Sequence, residues 1–228
     1  MPTNYLPQTF NISSVFNAKI TIPCQDQYVG EFTNGQFTPK QRINIEYDRD
    51  KNGIPIIKNI LCDKRIVVIL ESPHKDEFSL LSNGQWSANG PAFGKTGDLF
   101  EDKFESVFSE SQSYQNWQLA NNATYDVILI NSVQFQCSLG KALRKYKNKK
   151  ERDENWYKCI NENCIQDDLF YRIEALKPTI LINLCTVGLK NLQSVLSSII
   201  SKRINQRILY TSGSHPSTWW RNRYRMIN

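Results

Sequence analysis

The stretch RIVVILESPHK, residues 65–75, joins a short apolar run to a polar loop. After Arg65 the run is apolar at every position and rich in β-branched side chains, which is typical of a strand that is covered on both faces. Three more runs share this character: DVILIN (126–131), TILINL (179–184) and RILYT (207–211). Four such runs predict a buried, parallel central sheet.

Helical patterns separate these runs. GDLFEDKFESVF (97–108) carries its apolar residues on one stripe, DDLFYRIEALKP (167–178) stops at a proline, and TVGLKNLQSVLSSIISK (186–202) is a third amphipathic segment. Strands that alternate with helices imply right-handed crossovers and helices on both faces of the sheet. The predicted fold class is therefore α/β: a three-layer α/β/α body over residues 65–225 with a central four-stranded parallel sheet.

The first 60 residues have a different pattern. AKITIPC (18–24) and RINIEYDRDKNGIPII (42–57) are strand-like, and the second is expected to fold back as a hairpin through DKNG (50–53). We interpret residues 1–60 as a β-rich N-terminal extension that packs on the body, within a single domain over residues 1–228. The basic run KALRKYKNKKERDENW (141–156) is interpreted as a solvated helix or loop.

Composition restricts the class of protein. The chain has 228 residues, of which 40% are hydrophobic and 22% charged, and its net charge is +6. No apolar run approaches about 18 residues, the N-terminus lacks the pattern of a signal peptide, and the six cysteines form no C-x-x-C pair. We expect a cytoplasmic monomer without a metal ion or other cofactor.

The C-terminus alternates basic and aromatic residues. Two tryptophans, Trp219 and Trp220, are followed by three arginines at alternate positions, Arg221, Arg223 and Arg225, with Tyr224 between the last two. Such a mixture suits a nucleic acid, because arginines contact phosphates and rings stack on bases. A solvated basic tail explains this one feature equally well.

The loop NGPAFGKTGDLF (89–100) contains Gly-Lys-Thr, which raises the question of a phosphate-binding P-loop. That motif needs a glycine five positions before Gly94, where this chain has Asn89, and a buried strand leading into the loop. The preceding LSNGQWSA (81–88) is polar and turn-like. A glycine-rich loop that enters a helix is therefore favoured over a nucleotide site.

Polar residues follow the predicted strands at the edge where open parallel sheets bind ligands. Glu71 follows the first strand, Asn131 ends the second, and His215 follows the fourth. The only two histidines, His74 and His215, both flank a proline just beyond a strand. Each could instead be a structural histidine that caps a loop.

Five segments in order resemble motifs of the uracil-DNA glycosylase superfamily. They are LESPHK (70–75), GPAFGKTGDLF (90–100), VILINSV (127–133), RIEALKPTILIN (172–183) and HPSTW (215–219). The resemblance covers roughly residues 65–223. It implies a monofunctional enzyme that flips a base out of DNA and hydrolyses its N-glycosidic bond, leaving an abasic site.

The resemblance also implies a role for each motif residue. His215 would donate to the carbonyl oxygen of the departing base, and Glu71 would position water or stabilise the positively charged sugar. Four further residues would contact the base; among them, Phe93 would stack on it and Asn131 would hydrogen-bond to its edge. Four others would contact DNA, and of these Trp219 would fill the space left by the flipped base. The base-contacting set is Ser72, His74, Phe93 and Asn131; the DNA-contacting set is Ser217, Trp219, Arg221 and Arg223.

The chain departs from the family pattern at three places. Ser72 stands where the best-studied branch has its water-activating aspartate, so Glu71 is the expected catalytic carboxylate, with Asp76 and Asp98 as alternatives. His74 replaces a tyrosine that normally excludes 5-substituted bases, so the substrate is either uracil, in repair, or a 5-modified pyrimidine such as those of phage DNA, in defence. The paired upstream cysteines of the iron–sulfur branch are missing. A non-catalytic nucleic-acid-binding module and a nucleotide hydrolase remain the alternatives.

Overall fold

A computed structural model describes residues 11–58, 62–117, 119, 122–138, 146–204, 207–220 and 226–227. The strands are β1 (Gln27–Thr33), β2 (Gln36–Asn44), β3 (Tyr47–Arg49), β4 (Pro55–Ile57), β5 (Arg65–Leu70), β6 (Phe78–Leu80), β7 (Trp86–Ala88), β8 (Thr124–Asn131), β9 (Ile180–Asn183), β10 (Leu209–Gly213) and β11 (Met226–Ile227). The helices are α1 (Lys95–Ser109), α2 (Gln112–Asn116), α3 (Tyr146–Ile160), α4 (Asn163–Leu176) and α5 (Leu192–Ser201).

The four apolar runs form the middle of one sheet. Its order is β11-β10-β9-β5-β8-β1-β2, and β10, β9, β5 and β8 are mutually parallel. The register aligns Leu70 with Asn131, so the polar residues that follow β5 and end β8 reach the same edge. The α/β class with a mostly parallel central sheet is confirmed. The four predicted strands form its parallel part, and three further strands, added by antiparallel pairing, extend the sheet to seven.

The N-terminal residues contribute two of those extra strands. β1 pairs antiparallel with β8 from Gln27–Leu129 to Thr33–Thr124, and β2 continues the sheet beyond it. Pairing satisfies the backbone groups of β8, which would otherwise form an open edge. This segment is therefore part of the sheet rather than an extension packed on it; residues 1–10 and 59–61 lie outside the described residues.

The two predicted N-terminal strand segments have different outcomes. The hairpin through DKNG is confirmed, because β3 and β4 pair antiparallel across that turn as a separate small sheet. The strand predicted over residues 18–24 is wrong. Its apolar residues instead fill a small cluster, in which Ile20 and Cys24 pack with Phe78, and the Cys24 N–H donates to the carbonyl of Gln134 at 2.8 Å.

Hydrophobic clusters lie on both faces of the sheet. Along β5, Val67 and Ile69 belong to the cluster that includes α3, α4 and α5, whereas Ile66 and Val68 belong to the cluster that includes α1. Successive residues of a strand point to opposite faces, so β5 is covered on both sides, as its uninterrupted apolar run requires. No helix among the described residues is both long and apolar enough to cross a membrane.

The described part of the basic run 141–156 is a helix whose lysines are exposed, as its composition indicates, but whose other face is buried. Residues 146 onward form α3, which buries Asp153 and Trp156 completely and Arg152 almost completely. The indole Nε1 of Trp156 donates to the carbonyl of Glu71 at 2.9 Å. α3 therefore packs directly on the loop that follows β5; residues 141–145 lie outside the described part.

A buried ion network fixes the residues before β1 to α4. The Arg172 guanidinium contacts Asp26 at 3.0 Å and Asp168 at 2.8 Å, and Tyr47 donates to Asp26 at 2.6 Å. The same guanidinium donates to the carbonyl oxygen of Asn131 at 3.1 Å. The network therefore holds the backbone at the end of β8 in place.

Replacing Arg172 is expected to lower the free energy of unfolding strongly. Arg172→Met keeps much of the side-chain volume but leaves two buried carboxylates without their counter-ion, at a cost of about 3–5 kcal/mol. Arg203→Met removes the same kind of side chain from an exposed pair with Asp167 and should cost about 1 kcal/mol or less. Urea denaturation measures both, and equal losses would contradict the structural role given to Arg172.

Candidate active site

A cavity of about 100 Å³ lies at the carboxyl ends of the parallel strands. Six parts of the chain form its wall: the end of β5 with its following loop, the segments after β8 and β9, the turn after β10, and residues of α1 and α3. The wall consists of Leu70, Glu71, Ser72, Pro73, His74, Glu77, Thr96, Ser138, Arg152, Thr186, His215 and Ser217. Five residues that the sequence predicts for a site therefore line one cavity.

Glu71 is buried, and both of its carboxylate oxygens have partners. Oε1 lies 3.3 Å from Nη1 of Arg152, while Oε2 lies 3.3 Å from Nε2 of His215 and accepts the N–H of Thr186 at 3.3 Å. Burial by itself would raise the pKa of Glu71, but His215 and Arg152 outweigh it and hold that pKa below its usual range. The carboxylate is therefore ionised at neutral pH.

His215 is fixed by the turn in which it lies. It precedes a single 3₁₀ turn, Pro216–Thr218, and its Nδ1 accepts the backbone N–H of Ser217 at 3.2 Å. Because Nδ1 accepts that hydrogen bond, the neutral ring carries its proton on Nε2, the atom that faces Glu71. Burial lowers the pKa of His215; Glu71 opposes this shift and Arg152 adds to it. The cavity thus contains a neutral imidazole that donates through Nε2.

Arg152 is a cavity residue that the sequence analysis missed. Its Nε donates to Oδ1 of Asp153 at 2.8 Å, so a carboxylate supports the guanidinium from behind. Gly188 leaves room for this pair, since a Cβ there would lie 2.5 Å from Asp153 and 2.9 Å from Arg152. The available signal was helical spacing: Arg152 and Trp156 are four residues apart, which places both on one helix face.

Glu77 is a second carboxyl that sequence reasoning missed. It lines the cavity, it is buried, and its Oε2 makes no hydrogen bond. Burial raises the pKa of Glu77 well above its usual range, and the nearby charge of Glu71 adds to that shift. Glu77 therefore retains its proton to a higher pH than an ordinary glutamate, beside a carboxylate whose pKa is lowered.

Asn131 lies behind Glu77 and does not line the cavity. Its side chain is completely buried beside Glu77 and the thiol of Cys24, yet neither its Oδ1 nor its Nδ2 makes a hydrogen bond. An unpaired buried amide is costly, by about 1–3 kcal/mol. The amide is therefore available to a partner that reaches it past Glu77.

The PAFG loop (91–94) is packed tightly against the sheet. Arg42 donates to the carbonyl of Pro91 at 2.9 Å, and a Cβ on Gly97 would lie 1.9 Å from the carbonyl oxygen of Ala92. Phe93 is 48% exposed on this loop and lies outside the cavity wall. The predicted stacking surface therefore faces solvent beside the cavity.

The Gly-Lys-Thr sequence forms the first turn of α1. Thr96 lines the cavity, so the N-terminus of α1, the positive end of its helix dipole, lies beside the cavity. The polar turn expected before the loop is present, with the Gly84 N–H donating to the carbonyl of Leu81 at 2.9 Å, and residues 86–88 after it form β7, which pairs with β6 in a small sheet. A P-loop follows a buried strand of the main sheet, so this context differs from that of a nucleotide site.

Trp219 does not occupy the position that the sequence analysis gave it. Its side chain is completely buried and stacks on Phe100 with ring centroids 5.8 Å apart, and its Nε1 donates to the carbonyl of Ser214 at 2.8 Å. The prediction of a DNA wedge is wrong for this residue, because a ring inside the core cannot enter a base stack. Trp220 is 59% exposed; Arg221 and Arg223 lie outside the described residues.

Comparison with known proteins gives no independent assignment. No family model matches the chain, and no curated protein or solved structure is significantly similar to it. The chemistry must therefore be argued from the cavity, which combines an ionised carboxylate, a neutral imidazole, a guanidinium and a neutral carboxylic acid. Such a set can stabilise charge of either sign and can supply or accept a proton.

The tautomer and pKa of His215 can be measured by NMR, since the chain has only two histidines. We expect a neutral ring with the proton on Nε2 that titrates below the usual range. Glu71→Gln should lower the pKa of His215 further, because it removes the negative charge that favours the imidazolium. Glu154→Gln on the exposed face of α3 is the control and should leave the titration unchanged; an upward shift in Glu71→Gln would contradict the assignment.

Proposed function

We propose that this chain is a monofunctional DNA glycosylase, which takes a flipped base into the cavity and hydrolyses its N-glycosidic bond. The observation that carries the proposal is the pairing of the neutral His215 Nε2–H with the ionised Glu71 across 3.3 Å on the wall of one small cavity. Bond cleavage places negative charge on the base and positive charge on the sugar. The Nε2–H of His215 can stabilise the negative charge on the base, and the carboxylate of Glu71 can stabilise the positive charge on the sugar.

His215 acts on the departing base. A neutral imidazole donates a hydrogen bond to the base oxygen as charge develops there, without giving up its proton. The Ser217 N–H supports this tautomer through Nδ1, at 3.2 Å. The N-terminus of α1 and the guanidinium of Arg152 add positive potential around the same space.

Glu71 acts on the sugar and the attacking water. In the free enzyme its Oε2 is occupied by His215. When a base takes the Nε2–H of His215, that oxygen becomes available to orient water or to stabilise the oxocarbenium-like sugar, as a carboxylate does in glycoside hydrolysis. Substrate entry therefore prepares both groups at once.

The size of the cavity favours a single-ring base. About 100 Å³ is well below the volume of typical drug-sized ligand pockets, roughly 300–1,000 Å³. His74 is on the wall, with its Nδ1 turned toward Asp76 at 3.4 Å. The substrate is uracil or a 5-modified pyrimidine, in repair or in defence against phage, and the enzyme is a cytoplasmic monomer that needs no cofactor.

DNA binding in this proposal relies on the loops around the cavity. Flipping a base costs a few kcal/mol, and stacking of aromatic side chains on the disturbed duplex offsets part of that cost. With Trp219 buried, the exposed rings of Phe93 and Trp220 take this role. Ser217, Arg221 and Arg223 contact phosphates.

One contact favours a second candidate function. The Oγ of Ser217 lies 2.8 Å from Nδ1 of His215, whose Nε2 faces Glu71, so the three side chains form a Ser–His–Glu line like that of an acyl hydrolase. Against it, Nδ1 already accepts the backbone N–H of Ser217. Covalent labelling of Ser217 by a fluorophosphonate would support this alternative and exclude the glycosylase reading of His215.

The direct test is base release from DNA. The protein is incubated with single- and double-stranded oligonucleotides that carry uracil, 5-hydroxymethylcytosine or glucosylated 5-hydroxymethylcytosine, and alkali then cleaves any abasic site. Strand cleavage that depends on one of these bases supports the proposal. Binding without cleavage would favour a non-catalytic nucleic-acid-binding module.

His215→Ala is expected to lower the single-turnover rate of base release by roughly 10²–10³-fold, the usual cost of one oxyanion donor. DNA affinity should change little, because the imidazole acts mainly in the transition state. Thr218→Ala is the matched control: it removes the 2.8 Å hydrogen bond to the carbonyl of His215 in the same turn but keeps the imidazole. Full activity of His215→Ala would remove the basis of the assignment.

His74→Tyr is expected to act on substrate choice. The larger phenol narrows the wall and removes the imidazole nitrogens that can hydrogen-bond a 5-hydroxymethyl group, so release of 5-substituted bases should fall while uracil release survives or improves. The measurement is the ratio of single-turnover rates on uracil and on 5-hydroxymethyluracil for wild type and variant. An unchanged ratio would mean that another residue bounds the 5-position.

A further inference from the structure

Glu77 on the cavity wall and Asn131 behind it both carry buried polar atoms that make no hydrogen bond. Oε2 of Glu77 and both amide atoms of Asn131 make no hydrogen bond, although all three are buried. Of the two residues, Glu77 lines the cavity, and the Asn131 side chain lies against it. A buried polar group without a partner requires an explanation, and a ligand that supplies the partner is one such explanation for a group on a cavity wall.

The surroundings of Glu77 keep its proton in place. Its nearest titratable neighbours are Glu71 and the thiol of Cys24, and His74, Arg152 and His215 stand elsewhere on the cavity wall. Arg152 is engaged by Asp153 and Glu71 and makes no ion pair with Glu77. Without a cation beside it, the buried carboxyl holds its proton, so it offers both an O–H donor and a C=O acceptor.

Such a carboxyl matches the edge of an aminopyrimidine. Its O–H can donate to a ring nitrogen that has no hydrogen, while its C=O accepts from the exocyclic amino group. N3 of cytosine is such a nitrogen, whereas N3 of uracil already carries a hydrogen. The carboxyl can pair with either base, but only with a cytosine-type base can it transfer a proton to the ring.

We propose that Glu77 is a catalytic acid for cytosine-type bases, giving its proton to N3 while Asn131 holds the neighbouring edge. This inference rests on the proposed glycosylase function and names its substrate class. The proton moves from Glu77 to N3, the C1′–N1 bond breaks with its electron pair passing to the base, and the base leaves uncharged. Water then adds to C1′ and its proton passes by way of Glu71 to solvent, from which Glu77 is reprotonated, so the net reaction is hydrolysis.

The test compares two pairs of bases that differ only at the 4-position: cytosine with uracil, and 5-hydroxymethylcytosine with 5-hydroxymethyluracil. Glu77→Gln keeps a donor and an acceptor in nearly the same shape but has no transferable proton. It should lower release of the 4-amino bases by roughly 10²–10⁴-fold, the usual contribution of a positioned acid, and release of the 4-oxo bases by less than about 10-fold. Glu174→Gln, an exposed carboxyl on α4, is the control and should change neither rate.

A pH series on the wild-type protein gives a readout that does not depend on the folding of a variant. Glu71 and His215 serve both kinds of base, so their titration cancels in the ratio of 4-amino to 4-oxo rates. That ratio should fall as pH rises through the raised pKa of Glu77, because only the protonated form can act. Three outcomes would overturn this inference but leave the glycosylase proposal standing: a rate ratio that does not change with pH, equal losses of 4-amino and 4-oxo release in Glu77→Gln, or release of 4-oxo bases alone by the wild type. If the wild-type protein released no base at all, both proposals would be removed.

Discussion

The buried carboxylate of Glu71 is the constraint on which the site depends. A carboxylate taken out of water costs several kcal/mol unless nearby groups compensate its charge. Here the compensation comes from Arg152 on α3, from the Thr186 N–H after β9, and from His215 after β10. Three parts of the chain that are distant in sequence must therefore be in place for Glu71 to remain ionised.

The same requirement explains several features of the surrounding fold. Trp156 donates to the backbone of Glu71, which keeps α3 against the loop and Arg152 within reach. Gly188 is needed because Arg152 and Asp153 occupy the space where a side chain would lie. On the far side of Asn131, the Arg172 network binds the carbonyl of that residue. Two buried cations thus support the loop and the strand end that meet at the cavity.

Two carboxyls in one cavity have opposite protonation states because their neighbours differ. Glu71 has a cation and hydrogen-bond donors beside it, whereas at Glu77 burial dominates, the carboxylate of Glu71 is nearby and no cation compensates. When the pKa values of two carboxyl groups are shifted in opposite directions, one site can provide an acid and an anion at the same pH. The proposed division of work, with Glu71 for the sugar and Glu77 for the base, follows from that difference.

Local sequence patterns were sufficient to predict the elements of the central sheet. Four uninterrupted apolar runs specified the parallel strands, because a strand covered on both faces must be apolar at both parities. The position of Glu71, His74 and His215 just after those strands placed them at one edge. The pattern failed at the edges of the sheet, since β1 is a strand chiefly because β8 offers it backbone partners.

Which side chains are buried together, in contrast, depends on how distant segments pack in the folded chain. Arg152 belongs to a strongly basic run, and nothing local distinguishes it from its solvated neighbours until α3 packs on the Glu71 loop. Trp219 lies among exposed-looking arginines, yet it stacks on Phe100 in the core. Glu77 lies in a charged loop, and its neutrality results from long-range burial. Burial and pairing depend on contacts between distant segments, and for that reason composition and spacing could predict where the cavity lies but not the charge state of its wall.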